Sequence, residues 1–525
     1  MLFVRKIWDF VLSSKFSAPV GLMVIALSFV FQNKYLPSAD GPAHIYNAQL
    51  LKEYLLGNQV VQQHFVLNDL YIPNLFSTFF LTFLVTIFSL TIALKAFYFS
   101  LLFLLIYSAY YFFKAFGIRW PFLLSLAFIL LFNSFLLNIG FYNFCFSIAF
   151  MLFAFGFYHR KFGLKASNRV MDYLVYFFLA ALLYFSNGLS FAIFIAFVGF
   201  SKILELIATY KRGLSGELGT LLKQIFMLIV ISLPFILMLL VFQQQSNMVN
   251  EFGEVDSRAN WNNLIAFSSF ISYDRVSEGK VVFWMALVIV ALLTTSIINR
   301  FIRANFKLRH DDGFFLMMLV FVGLYFVIPD NYSVGFMSVR LQFFIYFFAL
   351  LWMFIQPGVY FKYIAAVALF ALSIYKYSES HSKTVRDLNE HAGNIISADK
   401  YVEANKTVAI LNFSGNWLEY HFPNYLGLRK PIILLENYEA NVGWFCLKWN
   451  VNNMPTYTTN GMVSFQNFHW NVIDNKEKKE VDYIFLYCGV HLVKENKELA
   501  NLLSNYERQD KGELEGVAIF KRKNK

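Results

Sequence analysis

The stretch Ile225–Phe242, IFMLIVISLPFILMLLVF, contains no charged residue over 18 consecutive positions. A helix that crosses the hydrocarbon core of a bilayer needs about 20 mostly apolar residues, so this run has the length and composition of a membrane span. Across all 525 residues, 58% are hydrophobic and only 15% are charged, whereas soluble domains carry roughly a quarter charged residues. The sequence therefore predicts an α-helical polytopic membrane protein and excludes a disordered protein, a coiled coil and an ordinary cytosolic enzyme.

About eleven runs of this kind are predicted to span the membrane. They are residues 16–32, 96–113, 120–138, 140–158, 170–186, 188–208, 220–242, 281–298, 313–329, 340–356 and 358–375. One more apolar run, 74–94, is predicted to be a re-entrant or interfacial segment. If it does not span, 17 Lys and Arg residues fall in cytoplasmic segments and 7 in outside loops. If it spans alone, this bias reverses and violates the positive-inside rule.

This topology predicts which parts of the chain face outside. The N-terminus is expected to be cytoplasmic. The first outside loop, 33–73, the loops 243–280 and 330–339, and the turns at 138–143 and Asn187 are expected on the opposite side. A C-terminal domain that begins at residue 376 is expected there as well.

The composition changes at residue 376, which separates a predicted transmembrane domain, 1–375, from a predicted extracytoplasmic domain, 376–525. The second part holds 19 Lys and Arg against 18 Asp and Glu, so the net charge of +11 belongs mainly to the membrane part. Its pattern predicts a small soluble α/β domain. Strands are predicted at 407–412, 431–435, 482–487 and 516–521, and a helix at 491–506. No basic stripe with stacking aromatic residues accompanies them, which excludes nucleic acid as a partner.

A chemically suggestive motif follows the first predicted span: LPSADGPAHIYNA, residues 36–48. Pro42 suits the first turn of a helix, with Asp40 at the cap. Asp40 and His44 are four positions apart and are therefore expected on one helical face. A carboxylate there can accept a proton from a hydroxyl group or hold a cation. The residues alone leave a second interpretation open, in which Asp40 only caps the helix and His44 pairs with it.

With this motif the chain resembles the GT-C glycosyltransferases, a superfamily of multi-spanning membrane enzymes. PSADGPAHIYNAQLL is similar to the Asp-x-Pro-x-His-x-x-x-Ala motif of an uncharacterised bacterial branch. Three later stretches fit the same family: NIGFYNFCFSIAF at 138–150, YFSNGLSF at 184–191, and IPDNYSVGFMSVRLQ at 328–342. The resemblance implies a GT-C-like fold over most of residues 30–345.

The resemblance also implies a reaction. GT-C enzymes transfer a sugar from a polyprenyl-phosphate-linked donor to a glycan, lipid or protein acceptor at the outer face of the membrane. On this basis Asp40 is the candidate catalytic base, and His44 orients it or contacts the donor phosphate. Direct displacement with one base would invert the configuration of the sugar carbon. The lipid bilayer and the polyprenyl-linked donor are the expected partners.

Further residues are assigned by position. Arg340 is the candidate for the donor phosphate, because a guanidinium group can bind phosphate in a bidentate manner; ordinary anchoring of a helix end is the alternative. Asn143, Asn187 and Glu53 are candidates for the substrate cavity, although the two asparagines are as consistent with helix ends. YFSNGLSF departs from the family pattern, because Asn187 stands where such chains often carry a His.

A cofactor is not evident from the sequence. The turn at 138–143 lacks the second acidic group that many metal-using relatives offer, so no metal ligand is assigned and a metal-independent enzyme is expected. A divalent cation remains possible, with Asp256, Asp274 and Asp330 as the other outside carboxylates. The resemblance, rather than a sorting signal, indicates the bacterial inner membrane.

Two other classes of function are kept as alternatives. A transporter or a lipid or glycan flippase would need polar groups near the middle of the bilayer and internal repeats, and the sequence shows few of the former and no convincing repeat. A non-catalytic membrane assembly protein would use its outside domain to bind a partner, and the pair Asp40 and His44 would then be structural.

Overall fold

The fold is given by a computed structural model of the full chain. It describes residues 21, 24, 28, 30–31, 33–35, 38–163, 169–211, 215–245, 254–302, 312–330, 335–453, 457–458, 471–472 and 481–523. Most of the first predicted span, 16–32, lies outside the described residues, as do 331–334 of the predicted loop 330–339.

Most of the described chain is helical. The α-helices are α1 (Gly41–Leu55), α2 (Gln59–His64), α3 (Phe76–Ile87), α4 (Leu90–Ala115), α5 (Pro121–Leu126), α6 (Ile129–Phe132), α7 (Phe135–Ile139), α8 (Tyr142–Tyr158), α9 (Val170–Ser186), α10 (Gly188–Lys211), α11 (Ser215–Gln245), α12 (Ser257–Ile265), α13 (Arg275–Ile297), α14 (Gly313–Tyr325), α15 (Met337–Ile355), α16 (Phe361–Lys376), α17 (Ser382–Ser397) and α18 (Lys497–Leu503).

The strands are concentrated in the C-terminal part. They are β1 (Phe65–Leu67), β2 (Thr407–Asn412), β3 (Ile433–Leu434), β4 (Leu447–Trp449), β5 (Tyr457–Thr458), β6 (Asn471–Val472), β7 (Tyr483–Tyr487), β8 (Tyr506–Arg508) and β9 (Val517–Arg522). A five-stranded sheet has the order β3-β2-β7-β9-β8. Strand β2 runs parallel to β3 and β7, and β9 runs antiparallel to β7 and β8.

The four strands predicted in the tail are therefore confirmed as β2, β3, β7 and β9, within two residues at their ends. The helix predicted over 491–506 is shorter than expected. A 3-10 turn, Val490–Lys494, precedes α18, and Asn496 caps α18 by accepting hydrogen bonds from two backbone N–H groups.

Six of the described helices are long and apolar enough to cross a membrane. They are Leu90–Ala115, Tyr142–Gly163, Gly188–Lys211, Leu218–Gln245, Arg275–Phe301 and Met337–Ile355. Four other apolar helices have 10–17 residues. The run predicted as one span at 120–138 is instead divided into α5, α6 and α7. The total of eleven spans stays a prediction.

The apolar run 74–94 does not form one helix. Helix α3 has 12 residues and ends at Ile87, and α4 begins at Leu90. At a rise of about 1.5 Å per residue, α3 is about 18 Å long, well short of the roughly 30 Å hydrocarbon core. This length fits the predicted re-entrant or interfacial placement, which stays a prediction.

The chain divides into two compact units, each built from three separate segments, whereas the sequence predicted one boundary at residue 376. Unit 1 contains Met1–Phe29, Phe99–Leu137 and Asn143–Ser382, and unit 2 contains Val30–Tyr98, Asn138–Tyr142 and Lys383–Lys525. The first outside loop and the turn at 138–142 thus fold together with the C-terminal segment.

Unit 1 contains a fully buried ion pair. The Lys376 ammonium at the end of α16 lies 3.0 Å from the Glu278 carboxylate near the start of α13, and both side chains are fully buried. Lys376 also donates to the carbonyl oxygens of Asn133 and Phe270 at 2.7 and 2.5 Å. Glu278 accepts the backbone N–H of Ser272 at 2.6 Å. A buried charge needs both a partner and hydrogen bonds, and this pair has them.

We expect Lys376→Met to destabilise the protein strongly, because Glu278 would keep a buried charge without its cation. The expected loss of unfolding free energy is about 3–5 kcal/mol, measured by thermal unfolding in detergent. The double change with Glu278→Gln should recover part of that loss. Lys383→Met, at an exposed position in α17, is the control. Equal melting of Lys376→Met and wild type would contradict the structural role of the pair.

Unit 2 is held together by hydrogen bonds between α1 and the C-terminal segment. The Tyr46 hydroxyl donates to the Ile432 carbonyl at 2.7 Å and accepts the Leu434 N–H at 2.9 Å. The amides of Asn47 and Asn437 bond to each other in both directions, at 2.9 and 2.8 Å. These polar groups are all buried, so each bond also avoids the cost of an unpaired polar group.

A short antiparallel pair adds to this junction. Strand β1 pairs with β4 in the register Phe65 opposite Trp449, and the two rings stack with centroids 4.4 Å apart. The first outside loop thus contributes a strand to the C-terminal segment. Within the described residues the three cysteines, Cys145, Cys446 and Cys488, are free thiols.

Candidate active site

Asp40 stands immediately before α1 and is held by the turn at 138–142. Its backbone N–H donates to the Ile139 carbonyl at 2.7 Å, and the Ala39 N–H donates to the Asn138 carbonyl at 3.2 Å. Asp40 is the N-cap residue of α1, but its carboxylate makes no capping hydrogen bond. The interpretation in which Asp40 only caps the helix is therefore wrong.

Gly140 makes the close approach of this turn possible. Its φ of +106° lies in a region that side chains other than glycine rarely adopt. A Cβ atom there would lie 2.8 Å from the Gly41 nitrogen and 3.0 Å from the Asp40 Cβ. Tyr142, from the same turn, shares a hydrogen bond of 2.6 Å with the Ser38 hydroxyl. The turn thus fixes the backbone on both sides of Asp40.

One titratable partner of Asp40 comes from the C-terminal segment. His421 places Nε2 3.9 Å from Asp40 Oδ1 and Nδ1 2.6 Å from Glu436 Oε1. A carboxylate only accepts hydrogen bonds, so Nδ1 carries the hydrogen. The second oxygen of Glu436 accepts from the Asn424 amide at 2.5 Å. The ring of His421 stacks on Tyr438 with centroids 4.1 Å apart.

His44 has a different partner from the one considered from sequence. Its Nδ1 lies 2.6 Å from Glu439 Oε1, and both side chains are buried. We describe this contact as an ion pair. The ring packs between Tyr142 and Phe445, at centroid distances of 5.4 and 5.7 Å. The expected pairing of His44 with Asp40 is thus replaced by pairing with Glu439.

We call Asp40, His44, His421, Glu436 and Glu439 the Asp40 cluster. Burial by itself would lower the pKa of His421, but Glu436, Asp40 and Glu439 outweigh it, so the pKa is raised above its usual value of 6.5. The pKa of His44 is raised in the same way, against burial, mainly by Glu439. Nearby carboxylates favour the protonated form of each imidazole.

The charges of the Asp40 cluster do not cancel. With both histidines protonated, two positive charges face three carboxylates, which leaves one net negative charge. The side chains of Glu436 and Glu439 are 0% and 1% exposed, whereas that of Asp40 is 21% exposed. The accessible member of the cluster is therefore the Asp40 carboxylate. The His421 imidazole lies beside it, and the Glu436 carboxylate lies on the other side of that imidazole.

Such an arrangement can accept a proton. A carboxylate at the surface of a buried network can take a proton from a bound hydroxyl group. Once Asp40 is neutral, the two protonated histidines and the two glutamates of the network balance each other's charge. His421 lies too far from Asp40 for a direct hydrogen bond, at 3.9 Å, but close enough to influence its charge.

Glu53 does not join the cluster. It lies in the last turn of α1, about 20 Å along the helix axis from Asp40 at 1.5 Å per residue, and its carboxylate accepts a long hydrogen bond of 3.4 Å from Asn58. Its predicted place in the same cavity as Asp40 is not supported by this position.

The other predicted site residues belong to unit 1. Asn143 is buried near the start of α8, and Arg340 is buried in the first turn of α15. Asn187 ends α9, and its side-chain oxygen accepts the Ser190 N–H at 3.0 Å, as a helix-capping residue does. The Asp330 carboxylate accepts the Ser338 N–H, in the first turn of α15, at 2.9 Å. The roles of Asn143, Asn187 and Arg340 in substrate binding stay predictions.

Sequence analysis did not identify His421, Glu436 or Glu439 as site residues. The only local signal is ENYE, in which two glutamates three positions apart follow the buried strand β3. That pattern is common on solvated turns, and nothing in it reveals a partner almost 400 residues earlier. Among the residues that the structure describes, no group of three or more His, Cys, Asp and Glu side chains has an arrangement suited to a metal ion.

The raised pKa of His421 predicts how stability depends on pH. A group with a raised pKa in the folded state stabilises the fold fully below its unfolded pKa, about 6.5 for His. That stabilisation is lost as pH rises through the folded pKa. We expect the melting temperature of wild type to fall as pH is raised above about 6.5, measured in detergent from pH 5.5 to 9.

His421→Asn should flatten this decline, because the variant carries no titrating group there. His491→Asn, at an exposed position of the same unit, should retain the wild-type profile. A decline of the same steepness in His421→Asn would show that the imidazole is not held in its protonated form.

Comparisons with known proteins give one kind of match. No protein-family model matches the chain, and no curated protein matches it either. Among solved structures, ArnT from Cupriavidus metallidurans in the apo state aligns over 96% of both chains, with a TM-score of 0.43 and 14% sequence identity. The same protein bound to undecaprenyl phosphate aligns over 96% of this chain and 97% of that one, with a TM-score of 0.41 and 13% identity.

Proposed function

We propose that this protein is a GT-C-type glycosyltransferase that transfers a sugar from a polyprenyl-phosphate-linked donor to an acceptor hydroxyl, with Asp40 as the base. The observation that carries the proposal is the Asp40 cluster, in which one partly exposed carboxylate bears the net negative charge of five buried or half-buried groups. The Asp-x-Pro-x-His motif that supplies Asp40 is the same motif on which the resemblance to GT-C enzymes rests.

The proposed reaction is a single displacement. The acceptor oxygen forms a bond to the anomeric carbon of the sugar while the bond from that carbon to the phosphate oxygen breaks. The proton of the acceptor hydroxyl moves to the Asp40 carboxylate, and polyprenyl phosphate leaves with the bonding electron pair. Attack from the side opposite the leaving group inverts the anomeric carbon.

The two histidines prepare Asp40 for this step. His421 is held by Glu436 through a 2.6 Å hydrogen bond, so the imidazole keeps its orientation without help from Asp40. A protonated imidazole 3.9 Å away favours the ionised form of a carboxylate, which is the form that accepts a proton. His44, four residues after Asp40, is occupied by Glu439 and therefore acts as a positioning residue in this proposal.

The leaving phosphate requires positive charge, and Arg340 is the residue we assign to it. It is buried in the first turn of α15, and a guanidinium group suits a phosphate better than an ammonium group does. Asn143 and Asn187 are assigned to the sugar. We place the reaction at the outer face of a bacterial inner membrane, with unit 2 on the extracytoplasmic side and no metal ion required.

We expect Asp40→Asn to abolish transfer while the fold is retained. Loss of a general base lowers the rate by about 10²- to 10⁴-fold. The assay uses purified protein in nanodiscs with a panel of polyprenyl-phosphate sugars and acceptors, with and without EDTA. Thermal unfolding of each variant is followed in parallel.

Asp69→Asn is the matched control, because Asp69 lies in the same loop and its side chain is 58% exposed. Equal turnover by Asp40→Asn and wild type would contradict the role of Asp40. Loss of activity in EDTA would contradict only the proposal that no metal ion is required, and it would leave the role of Asp40 open to test. A wild type that acts on no donor in the panel would favour the transporter or assembly alternatives.

Arg340→Gln should weaken donor binding rather than remove the base. A hydrogen bond to a charged group contributes about 1.5–3 kcal/mol, so the apparent affinity for the donor should fall roughly tenfold or more. Binding of polyprenyl phosphate to the nanodisc-embedded protein measures this directly. Arg119→Gln, at an exposed position in unit 1, should bind as wild type does. Unchanged binding by Arg340→Gln would remove Arg340 from the donor site.

A further inference from the structure

A tyrosine beside the Asp40 cluster carries a hydroxyl group that the cluster does not use. Tyr438 begins the 3-10 turn Tyr438–Asn441 in unit 2. Its ring stacks on His421 with centroids 4.1 Å apart, and it meets Phe445 nearly at a right angle at 5.9 Å. Aromatic contacts of these two kinds are stabilising. They hold the ring in place, so the position of its hydroxyl group is fixed as well.

The Tyr438 hydroxyl is available to a ligand. The side chain is half-buried, and its hydroxyl makes no hydrogen bond with any residue that the structure describes. Burial raises the pKa of Tyr438 well above its usual value of 10, and the carboxylates of Asp40, Glu439 and Glu436 raise it further. The phenol is therefore neutral at physiological pH and keeps the proton that it can donate in a hydrogen bond.

Tyr438 and Asp40 are neighbours of the same imidazole. His421 places Nε2 3.9 Å from Asp40 Oδ1, while its face lies against the Tyr438 ring. Of the nearby carboxylates, Asp40 has the largest effect on the pKa of Tyr438. The accessible carboxylate of the cluster, which accepts hydrogen bonds, thus has a phenol that donates one beside it. An alcohol hydroxyl both donates and accepts, so it matches this pair.

A second tyrosine flanks His421. The Tyr420 ring lies nearly perpendicular to the imidazole, with centroids 4.7 Å apart, and the residue is 37% exposed. The Asn412 amide at the end of β2 donates to the backbone carbonyls of Glu419 and Tyr420 at 2.9 and 3.1 Å, which fixes this turn. Ligand sites combine aromatic surface with a few polar groups. The apolar C–H groups of a sugar ring pack well against such a ring.

The charges at this place favour a neutral ligand. The Asp40 carboxylate stands beside the protonated imidazole of His421, so opposite charges are 3.9 Å apart. A cation would be repelled by the imidazolium, and an anion would be repelled by the carboxylate. A neutral carbohydrate avoids both costs. It also supplies hydroxyl groups for the polar pair and C–H surface for the exposed ring.

We infer that the acceptor is a glycan, and that its terminal sugar binds beside Asp40. One sugar hydroxyl donates a hydrogen bond to the Asp40 carboxylate and accepts one from the Tyr438 hydroxyl, while a C–H face of the sugar lies against Tyr420. The role of this sugar as the acceptor rests on the proposed function, in which the same hydroxyl attacks the donor. Binding of the sugar itself does not require transfer.

The test is binding of the methyl glycosides of glucose, galactose, mannose and N-acetylglucosamine to the full chain in nanodiscs, measured by saturation-transfer NMR. Saturable binding of at least one glycoside at millimolar concentration is expected. Tyr438→Phe keeps the stacked ring and should weaken that binding about three- to tenfold, the effect of one hydrogen bond. Tyr420→Ala, at an exposed position, should weaken it about threefold through loss of the aromatic contact. Tyr401→Phe is the matched control, because it removes a hydroxyl that bonds to Glu513, outside the Asp40 cluster.

A second measurement separates the acceptor from the donor. Affinity for the polyprenyl-phosphate sugars should be the same in Tyr438→Phe and wild type. Loss of donor affinity with unchanged glycoside affinity would assign Tyr438 to the donor and overturn the inference. Absence of saturable binding for all four glycosides, or equal glycoside affinity in Tyr438→Phe and wild type, would overturn it as well. Glycoside binding that weakens in Tyr438→Phe, by a protein that transfers no sugar, would support the sugar site and contradict the proposed reaction alone.

Discussion

The structure of unit 2 depends on the attachment of α1 to the C-terminal segment. Tyr46 bridges two backbone groups of that segment, and Asn47 and Asn437 bond to each other in both directions, all without access to water. A buried polar group that loses its partner costs more than an ordinary contact gains. Helix α1 can therefore occupy this place in only one register. That register sets the position of Asp40, which stands one residue before the helix and faces His421.

The Asp40 cluster shows how two weakly suggestive segments produce one chemical site. Asp40 and His44 come from a helix start, whereas His421, Glu436 and Glu439 come from turns around a short strand. Neither segment alone has an unusual charge. Once they meet, each imidazole neutralises one buried glutamate, and the excess negative charge resides on the residue that a substrate can reach. A buried network of balanced charges beside one accessible carboxylate supports the proposed role of Asp40 as a base.

Much of the fold was predictable because it follows from the local pattern of the sequence. Apolar runs located the long helices, and short apolar stretches located the four tail strands within two residues. The division of 120–138 into three helices was missed, because an apolar composition does not reveal where a helix ends and the next one begins. The helix start that carries Asp40 and His44 was predictable from its motif. His421 and Glu439 were not, since a single sequence contains no record of which distant segments touch. In the alternative that paired His44 with Asp40, Glu439 takes the place of Asp40.

The contacts that build the site join residues 386 to 390 positions apart in the chain. Asp40 and the turn that supports it are synthesised early, whereas His421, Glu436 and Glu439 follow only after the six described helices that are long and apolar enough to cross a membrane. A ribosome-bound chain, or one that is truncated before residue 439, therefore carries those helices without a complete Asp40 cluster. The Asp40 cluster can therefore assemble only after synthesis has passed residue 439.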